Sequence, residues 1–580
     1  MSSLVALPAS TWAQDKADGL EAAAVESRLG VVSSDHPQTS QIGAEILAAG
    51  GNAADAGTAA LLANGVLNPF ASGLGGGGFC LYRPIETGEV EVIDFRETAP
   101  LEATEEMFVV DGEPVRKLQM RGGLAVGVPG EPAGLWALQN LHGALEWPTV
   151  VEPAVGLAKS FEVGELLAER LEQRADSLEE HPELTDSFKV DGDWADEGDT
   201  LENPNLAELL AMYRDQGPIV FYRGRVGEAI VEAVNAAGGV FGDEDFRTYE
   251  IAHRQPLEGS YRGFEIYSMP PPSSGGTTLL ATLNILEGYD LGERGLNGQT
   301  LHLVVEALKH AFADRARWLG DTDFVDVPVE RLISEDYADT LREKIDPEGV
   351  LPLEEYGTQP SPPDDSGTTH VSVIDADGNM LACTSTINTS FGSMVYVDEY
   401  GLLLNNEMGD FTPMRGKTNV FGLVGTGQNA VEPQKRPLSS MSPTLVLRDG
   451  EPFLASGASG GPAIITGTLL SILNLVDFAM SPAEAIAAPR LHHQWRPEKL
   501  FIEEAMAGHD VLEERGHTLE VRPLWSSVQI VVRRANGTQV GVADPRKKGA
   551  PAAEPAATTD KTHKPDKPDK PDKPDKSTTE

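Results

Sequence analysis

The chain has 580 residues, enough to bury a sizeable core in one large body or several domains, and 90 acidic against 45 basic side chains leave a net charge of −45. That balance excludes a basic nucleic-acid face, and no run approaches the ~20 apolar residues a membrane helix needs. Up to residue 560 there are 11 Lys against 28 Arg, which reads as a protein built for high salt, where repulsion is screened within about 3 Å at 1 M, rather than as an ordinary acidic enzyme.

Residues 1–26 read as the remnant of a signal peptide or as a disordered start. The apolar run at residues 4–9 is short and lacks a basic flank. A periplasmic or secreted location follows, with the cytoplasm left open. Residues 38–50 and 53–64 have helical spacing. The run from Gly73 to Gly78 lacks the Lys-Ser/Thr of a phosphate loop and precedes a strand, so close backbone packing is the expectation. Strands at 79–83 and 90–95 present Arg96. Helices are expected from 131 to about 174, a solvated acidic loop over about 175–202, and a long amphipathic helix at 302–319. The rigid turn from Pro270 to Gly276 leads into another helix, its serines serving first as a cap and second as a substrate contact. Residues 345–366 read as an exposed linker. Beyond it come strands (371–405), helices (464–489, 502–515) and strands again (518–522, 527–533). Residues 549–580, ending in Lys-Pro-Asp repeats, cannot bury a core and are expected to be disordered. Cys80 and Cys383 read as small buried hydrophobes rather than a reactive pair. Adjacent His492 and His493 on a strand face opposite ways, so no metal site is expected.

The chemistry centres on Ser366-Gly367-Thr368-Thr369-His370, where a flexible pair runs into a strand. If the bond before Thr368 breaks, Thr368 carries both a hydroxyl and an α-amine whose intrinsic pKa is near ~8, so one residue supplies nucleophile and base. Downstream stand Asn388-Thr389-Ser390-Phe391-Gly392, Asn405-Asn406-Glu407-Met408-Gly409-Asp410-Phe411, Arg436-Pro437-Leu438-Ser439-Ser440-Met441-Ser442-Pro443 and Ser459-Gly460-Gly461. In that order and spacing they resemble the γ-glutamyltransferase (γ-glutamyltranspeptidase) family of N-terminal-nucleophile hydrolases, over about residues 27–548.

The resemblance implies an α/β (α+β) fold, a four-layer αββα sandwich. It would be built jointly by a large subunit (27–367) and a small catalytic subunit (368–548), cut apart between Gly367 and Thr368. It implies glutathione and other γ-glutamyl compounds as donors, with water, amino acids or dipeptides as acceptors and no cofactor. Thr368 is the expected nucleophile, and Thr386 the residue that hydrogen-bonds it. Gly460 and Gly461 can bring unobstructed backbone N–H groups to an oxyanion. Arg96, with Ser439 and Ser440, suits the donor carboxylate, and Asn388, Glu407 and Asp410 suit its ammonium. Thr369 is expected to restrain the nucleophile, and residues 413–434 resemble a lid with Phe421 as its gate. Two departures, Gly409 in Met-Gly-Asp and Pro462-Ala463 after the glycine pair, flank this pocket. Three alternatives stay open: a cephalosporin-type acylase of the same fold, a poly-γ-glutamate-processing enzyme, and an uncleaved, non-catalytic binding protein.

Overall fold

Runs of β-branched and small residues form two seven-stranded sheets in a computed structural model that describes residues 20–357, 367–414, 427–523 and 526–556. The first sheet runs, edge to edge, Ala252–Arg254, Glu91–Phe95, Gly77–Arg83, Met380–Asn388, Gly367–Ile374, Val31–Ser34 and Ala552–Ala553. The second runs Ala23–Ser27, Gln539–Ala543, Ser527–Arg533, Glu451–Ser459, Thr444–Arg448, Phe264–Ser268 and Leu257–Tyr261. Every neighbouring pair is antiparallel. Each of these two sheets takes strands from both sides of residue 367, so the two halves of the chain are woven together.

Period-two alternation explains the layers. In Gly367–Ile374, Val371 and Val373 join the apolar core under the alanine-rich helix Ala53–Leu67, which comes close enough that Gly57 leaves no room for a Cβ beside Leu381. The alternate residues face the second sheet: the His370 ring lies against Gly457, and the Ser372 hydroxyl donates to Gln529 O at 3.0 Å. Helices Gly275–Glu287, Gly298–Trp318 and Ala463–Val476 cover the far face of the second sheet. The order is therefore helix, sheet, sheet, helix. The glycine run is close packing, as expected: a Cβ on Gly76 would sit 2.0 Å from Thr386 O.

Several boundaries move. Ala23–Ser27 is a strand paired with Gln539–Ala543, so the ordered body begins before residue 27. Ala552–Ala553 pairs with Val31 and Val32, and Glu554 accepts from Gly30 N at 2.9 Å, so the body also continues past 548. The expected acidic loop at 175–202 holds the end of helix Glu165–Leu178, helix Pro182–Asp186 and three short strands. Within 502–515 only His509–Glu514 is helical. Residues 345–357 are largely exposed or half-buried, as expected, but docked at both ends: Ile345 is buried, and Tyr356 donates to the carboxylate of Glu306. Cys80 and Cys383, 303 residues apart, are direct cross-strand neighbours and are joined as a disulfide, correcting their reading as unpaired hydrophobes. Strand register, which the sequence does not display, made that pair. The rest of the linker (358–366), Phe421 and most of the lid segment lie outside the described residues.

Candidate active site

A bulge in the pairing of Gly367–Ile374 with Met380–Asn388 falls between Gly367 and Thr368. There the Thr386 hydroxyl donates to Gly367 O at 2.6 Å. Thr386 has one proton to give, so in its 3.0 Å contact with Thr368 the Thr368 hydroxyl is the donor. Asn388 N also donates to Thr386 Oγ1, at 2.8 Å, and fixes its direction. The result is a chain from the Thr368 hydroxyl through Thr386 to the carbonyl of the preceding peptide. Thr369 lies on the opposite face, and its buried hydroxyl has no hydrogen-bond partner among the described residues, so it makes no bond that would restrain Thr368. His370 is no base for it either: burial pushes its pKa down to about 3 and its ring bonds Thr384 and Ser372.

Thr368 opens into a small, partly open cavity lined also by Arg96, Thr386, Asn388, Glu407, Asp410, Ser439, Ser440 and Gly461. Residues from both ends of the chain converge here because polar side chains staple their backbones. Asn405 bonds Gly75 O, Gly127 and Glu407 N, pinning the turn Glu407–Asp410 against the glycine-rich loop. Asn429 donates to Asp410 O at 2.8 Å and accepts from Leu438 N at 3.0 Å, tying that turn to the serine pair.

Arg96, only 1 % exposed, donates to Glu407, to Asp410 and, through Nε, to Pro437 O at 3.1 Å. The sequence reading split these residues between a carboxylate and an ammonium, whereas here the guanidinium holds both acids. Burial lifts the Glu97, Glu407 and Asp410 carboxyls above their ordinary range, Glu97 to about 8, against the opposing pull of Arg96. Glu407 Oε2 and both oxygens of Glu97 are buried with no hydrogen-bond partner among the described residues.

The serines are oriented from behind. Ser439 Oγ accepts from Met441 N at 3.1 Å, and Ser440 Oγ accepts from Arg315 Nη2 at 3.3 Å. Each hydroxyl keeps its proton and a second lone pair for further bonding, and both residues line the cavity. Ser274 is the N-cap residue of helix Gly275–Glu287 without a side-chain cap bond, and Ser273 Oγ accepts from Gly275 N at 3.1 Å, while the two hydroxyls donate to Ser439 O and Met441 O, each at 2.6 Å. Gly460 and Gly461 have φ of +126° and +56° at the sharp turn from strand Glu451–Ser459 into helix Ala463–Val476, a conformation that favours glycine, and Gly461 borders the cavity. Asn388 donates to Asn406 O at 2.9 Å.

Glu97, Arg315 and Lys547 were missed in the sequence. Arg315 carried a signal, for at helical spacing it shares the apolar stripe of Leu301, Val304, Leu308 and Phe312. Burial lowers its pKa to about 10 against the pull of Asp410. Lys547, 3 % exposed, donates to Thr368 O at 2.7 Å, and nothing in its local sequence marked it. His302, Glu306 and His517 gather three possible metal-ligand atoms within 4.8 Å. Those atoms are committed elsewhere, the histidines to each other at 2.7 Å and Glu306 to Lys309 at 2.6 Å.

The gamma-glutamyltranspeptidase family model matches residues 39–554. The chain is 41 % identical to a glutathione hydrolase proenzyme of Escherichia coli over 90 % of this chain and 91 % of that one. It is 38 % identical to glutathione hydrolase 2 of Arabidopsis thaliana, over 90 % and 93 %. Among solved structures, a cephalosporin acylase from Bacillus halodurans superposes with a TM-score of 0.80 at 26 % identity, over 95 % of this chain and 99 % of that one. The gamma-glutamyltranspeptidase of Helicobacter pylori gives 0.54 at 39 % identity, over 55 % and 92 %. A match of this extent, on a site assembled from the same motifs, means that the chain belongs to the gamma-glutamyltranspeptidase family of N-terminal-nucleophile hydrolases.

Proposed function

We propose that this chain is a proenzyme that cuts its own Gly367–Thr368 bond, then transfers the γ-glutamyl group of glutathione and related amides to water or to amino-acid and dipeptide acceptors. In maturation Thr368 Oγ attacks the Gly367 carbonyl, passing its proton to Thr386 as Thr386 protonates the carbonyl oxygen. As the C–N bond breaks the intermediate's O–H proton passes to the departing nitrogen, leaving an ester and the free Thr368 amine, and water hydrolyses the ester to a Gly367 carboxylate and the Thr368 hydroxyl. In turnover the amine takes the hydroxyl proton while Oγ attacks the γ-carbonyl of the donor. The oxyanion forms at the backbone N–H groups of Gly460 and Gly461, the leaving amine takes the proton, and the γ-glutamyl ester passes to water or to an acceptor amine.

The donor's α-carboxylate meets the hydroxyls of Ser439 and Ser440 and the remaining N–H groups of Arg96. Its α-ammonium meets Glu407, whose Oε2 has no partner among the described residues, with Asp410 and Asn388 beside it. The observation that carries this reading is the hydrogen-bonded chain Thr368–Thr386–Gly367 O opening on that pocket. A periplasmic or secreted enzyme is part of the proposal, and no described helix is long and apolar enough to cross a membrane.

The test is a denaturing gel of the purified protein with N-terminal sequencing of the smaller band. Wild type should give a chain beginning Thr368, and Thr368→Ala should stay uncut and lose activity at least ~10³-fold. An uncut wild type with full γ-glutamyl activity would overturn the proposal. The acylase reading has one observation in its favour, the superposition on the Bacillus halodurans enzyme. It predicts turnover of a β-lactam side-chain amide in preference to a γ-glutamyl anilide.

A further inference from the structure

Lys547 is a buried ammonium that reaches the nucleophile from the far end of the chain. Strand Gln539–Ala543 ends at Asp544, whose carboxylate caps the turn Pro545–Lys547 by accepting from Arg546 N at 3.0 Å. Asp544 is itself held by Arg490 and by Val528 N, which fixes the turn to the second sheet. From that turn Lys547 Nζ donates to Thr368 O at 2.7 Å and stands 3.8 Å from Asp35 Oδ2. Asp35, 2 % exposed, accepts from His370 N at 3.3 Å and from Ser527 Oγ at 3.1 Å. Burial pulls the Lys547 pKa below the ordinary lysine value and Asp35 opposes that pull, its carboxylate at 3.8 Å offering a counter-charge to an ammonium at this site.

We propose that Lys547 is a positioning residue, which pins the Thr368 carbonyl so that the chain end created by cleavage stays in the pocket and whose charge keeps the adjacent α-amine in its basic, unprotonated form. The first part follows from what cleavage removes. Thr368 loses its covalent neighbour and becomes a terminus, and termini fray unless tied down. The second follows from position, because amine and carbonyl flank the same Cα and a cation on one disfavours a cation on the other. The other charged groups around this backbone are Asp35, Asp544 with Arg490 and Arg546, Arg170 from helix Glu165–Leu178, and Arg96, Glu407 and Asp410 across the pocket. His370 is held neutral.

The inference rests on Thr368 being nucleophile and base, which the Thr368→Ala gel tests separately. Its own test is the pH profile of kcat/KM for a γ-glutamyl anilide in cleaved wild type, Lys547→Met, Lys547→Arg and Asp35→Asn. Lys547→Met should cut more slowly, lower kcat rather than raise KM, and shift the acid limb upward by about one pH unit, a ~10-fold loss in neutral amine below it. Lys547→Arg should restore the limb, and Asp35→Asn should shift it downward. Opposite shifts from opposite charges are something a merely structural role would not produce. An acid limb at the wild-type pH in Lys547→Met overturns the proposal. Should that variant fail to fold, an unmoved limb in Asp35→Asn overturns it instead.

Discussion

The cluster around Arg96 and the cluster around Glu306 both bury charge, and they are finished in opposite ways. On helix Gly298–Trp318, Glu306 accepts from Lys309 at 2.6 Å through one oxygen and from Tyr356 through the other. His302 is bonded at both ring nitrogens, to His517 at 2.7 Å and to Asp346 O at 2.8 Å. The Glu306 carboxylate and the His302 ring have no bonding capacity left over, although His310 Nε2 beside Tyr356 has no hydrogen-bond partner among the described residues, and what the cluster holds is the chain just ahead of residues 358–366. Around Arg96, Glu407 Oε2 borders a cavity with no hydrogen-bond partner among the described residues, and behind it both Glu97 oxygens lack one too, held only by the 3.8 Å ion pair with Arg96. Buried charge by itself therefore says little about function. Hydrogen-bonding capacity left unused beside a cavity is what separates a binding site from a structural lock, since an unsatisfied buried polar atom costs about 1–3 kcal/mol unless a ligand completes it.

The contrast can be broken by mutating one member of each cluster. The largest effect is expected from Arg96→Lys. An ammonium cannot span two carboxylates and a carbonyl, so KM for a γ-glutamyl anilide should rise ~100-fold, about 3 kcal/mol, with the melting temperature little changed. A wild-type KM in steady-state kinetics would mean that Arg96 organises the fold and not the donor. Next comes Glu306→Gln, which leaves the Lys309 ammonium buried without its counter-charge. Urea unfolding should show a loss of ~3 kcal/mol with KM within about two-fold of wild type. The contrast fails if stability holds and KM moves.

The smallest effect concerns neither cluster. With a net charge of −45 the repulsion resides on the surface, where salt screens it, while both clusters are buried beyond its reach. Between ~0.1 and ~3 M sodium chloride the melting temperature should rise by about 5 °C, helped by stronger apolar burial, with KM nearly constant. A melting temperature that falls steadily with added salt, together with peak activity at the low end, would remove the high-salt reading and leave the active-site assignment intact.

Much of the pocket was legible because its parts are local. A glycine pair after a strand, Ser439-Ser440 after Arg436-Pro437-Leu438, and Gly367-Thr368 ahead of alternating valines each carry their chemistry within a few residues. The layer order was legible for the same reason, since period-two and helical spacing say which element has a face to bury. What stayed hidden depended on register and on long-range approach. Cys80 meets Cys383 only because two strands pair with no offset between them, and a one-residue slip would have turned one sulfur to the other face. Thr369 and Thr368 are equivalent as text, and only alternation across the sheet gives the cavity to one and an apolar layer to the other. Lys547 lies 179 residues from Thr368, whose carbonyl it bonds, in a turn placed by the second sheet. Sequence alone determined which residue types the chemistry needs. Tertiary structure decided which of them meet, because hydrogen bonds and buried charges act over a few ångströms and linear spacing does not measure that distance once the chain has folded.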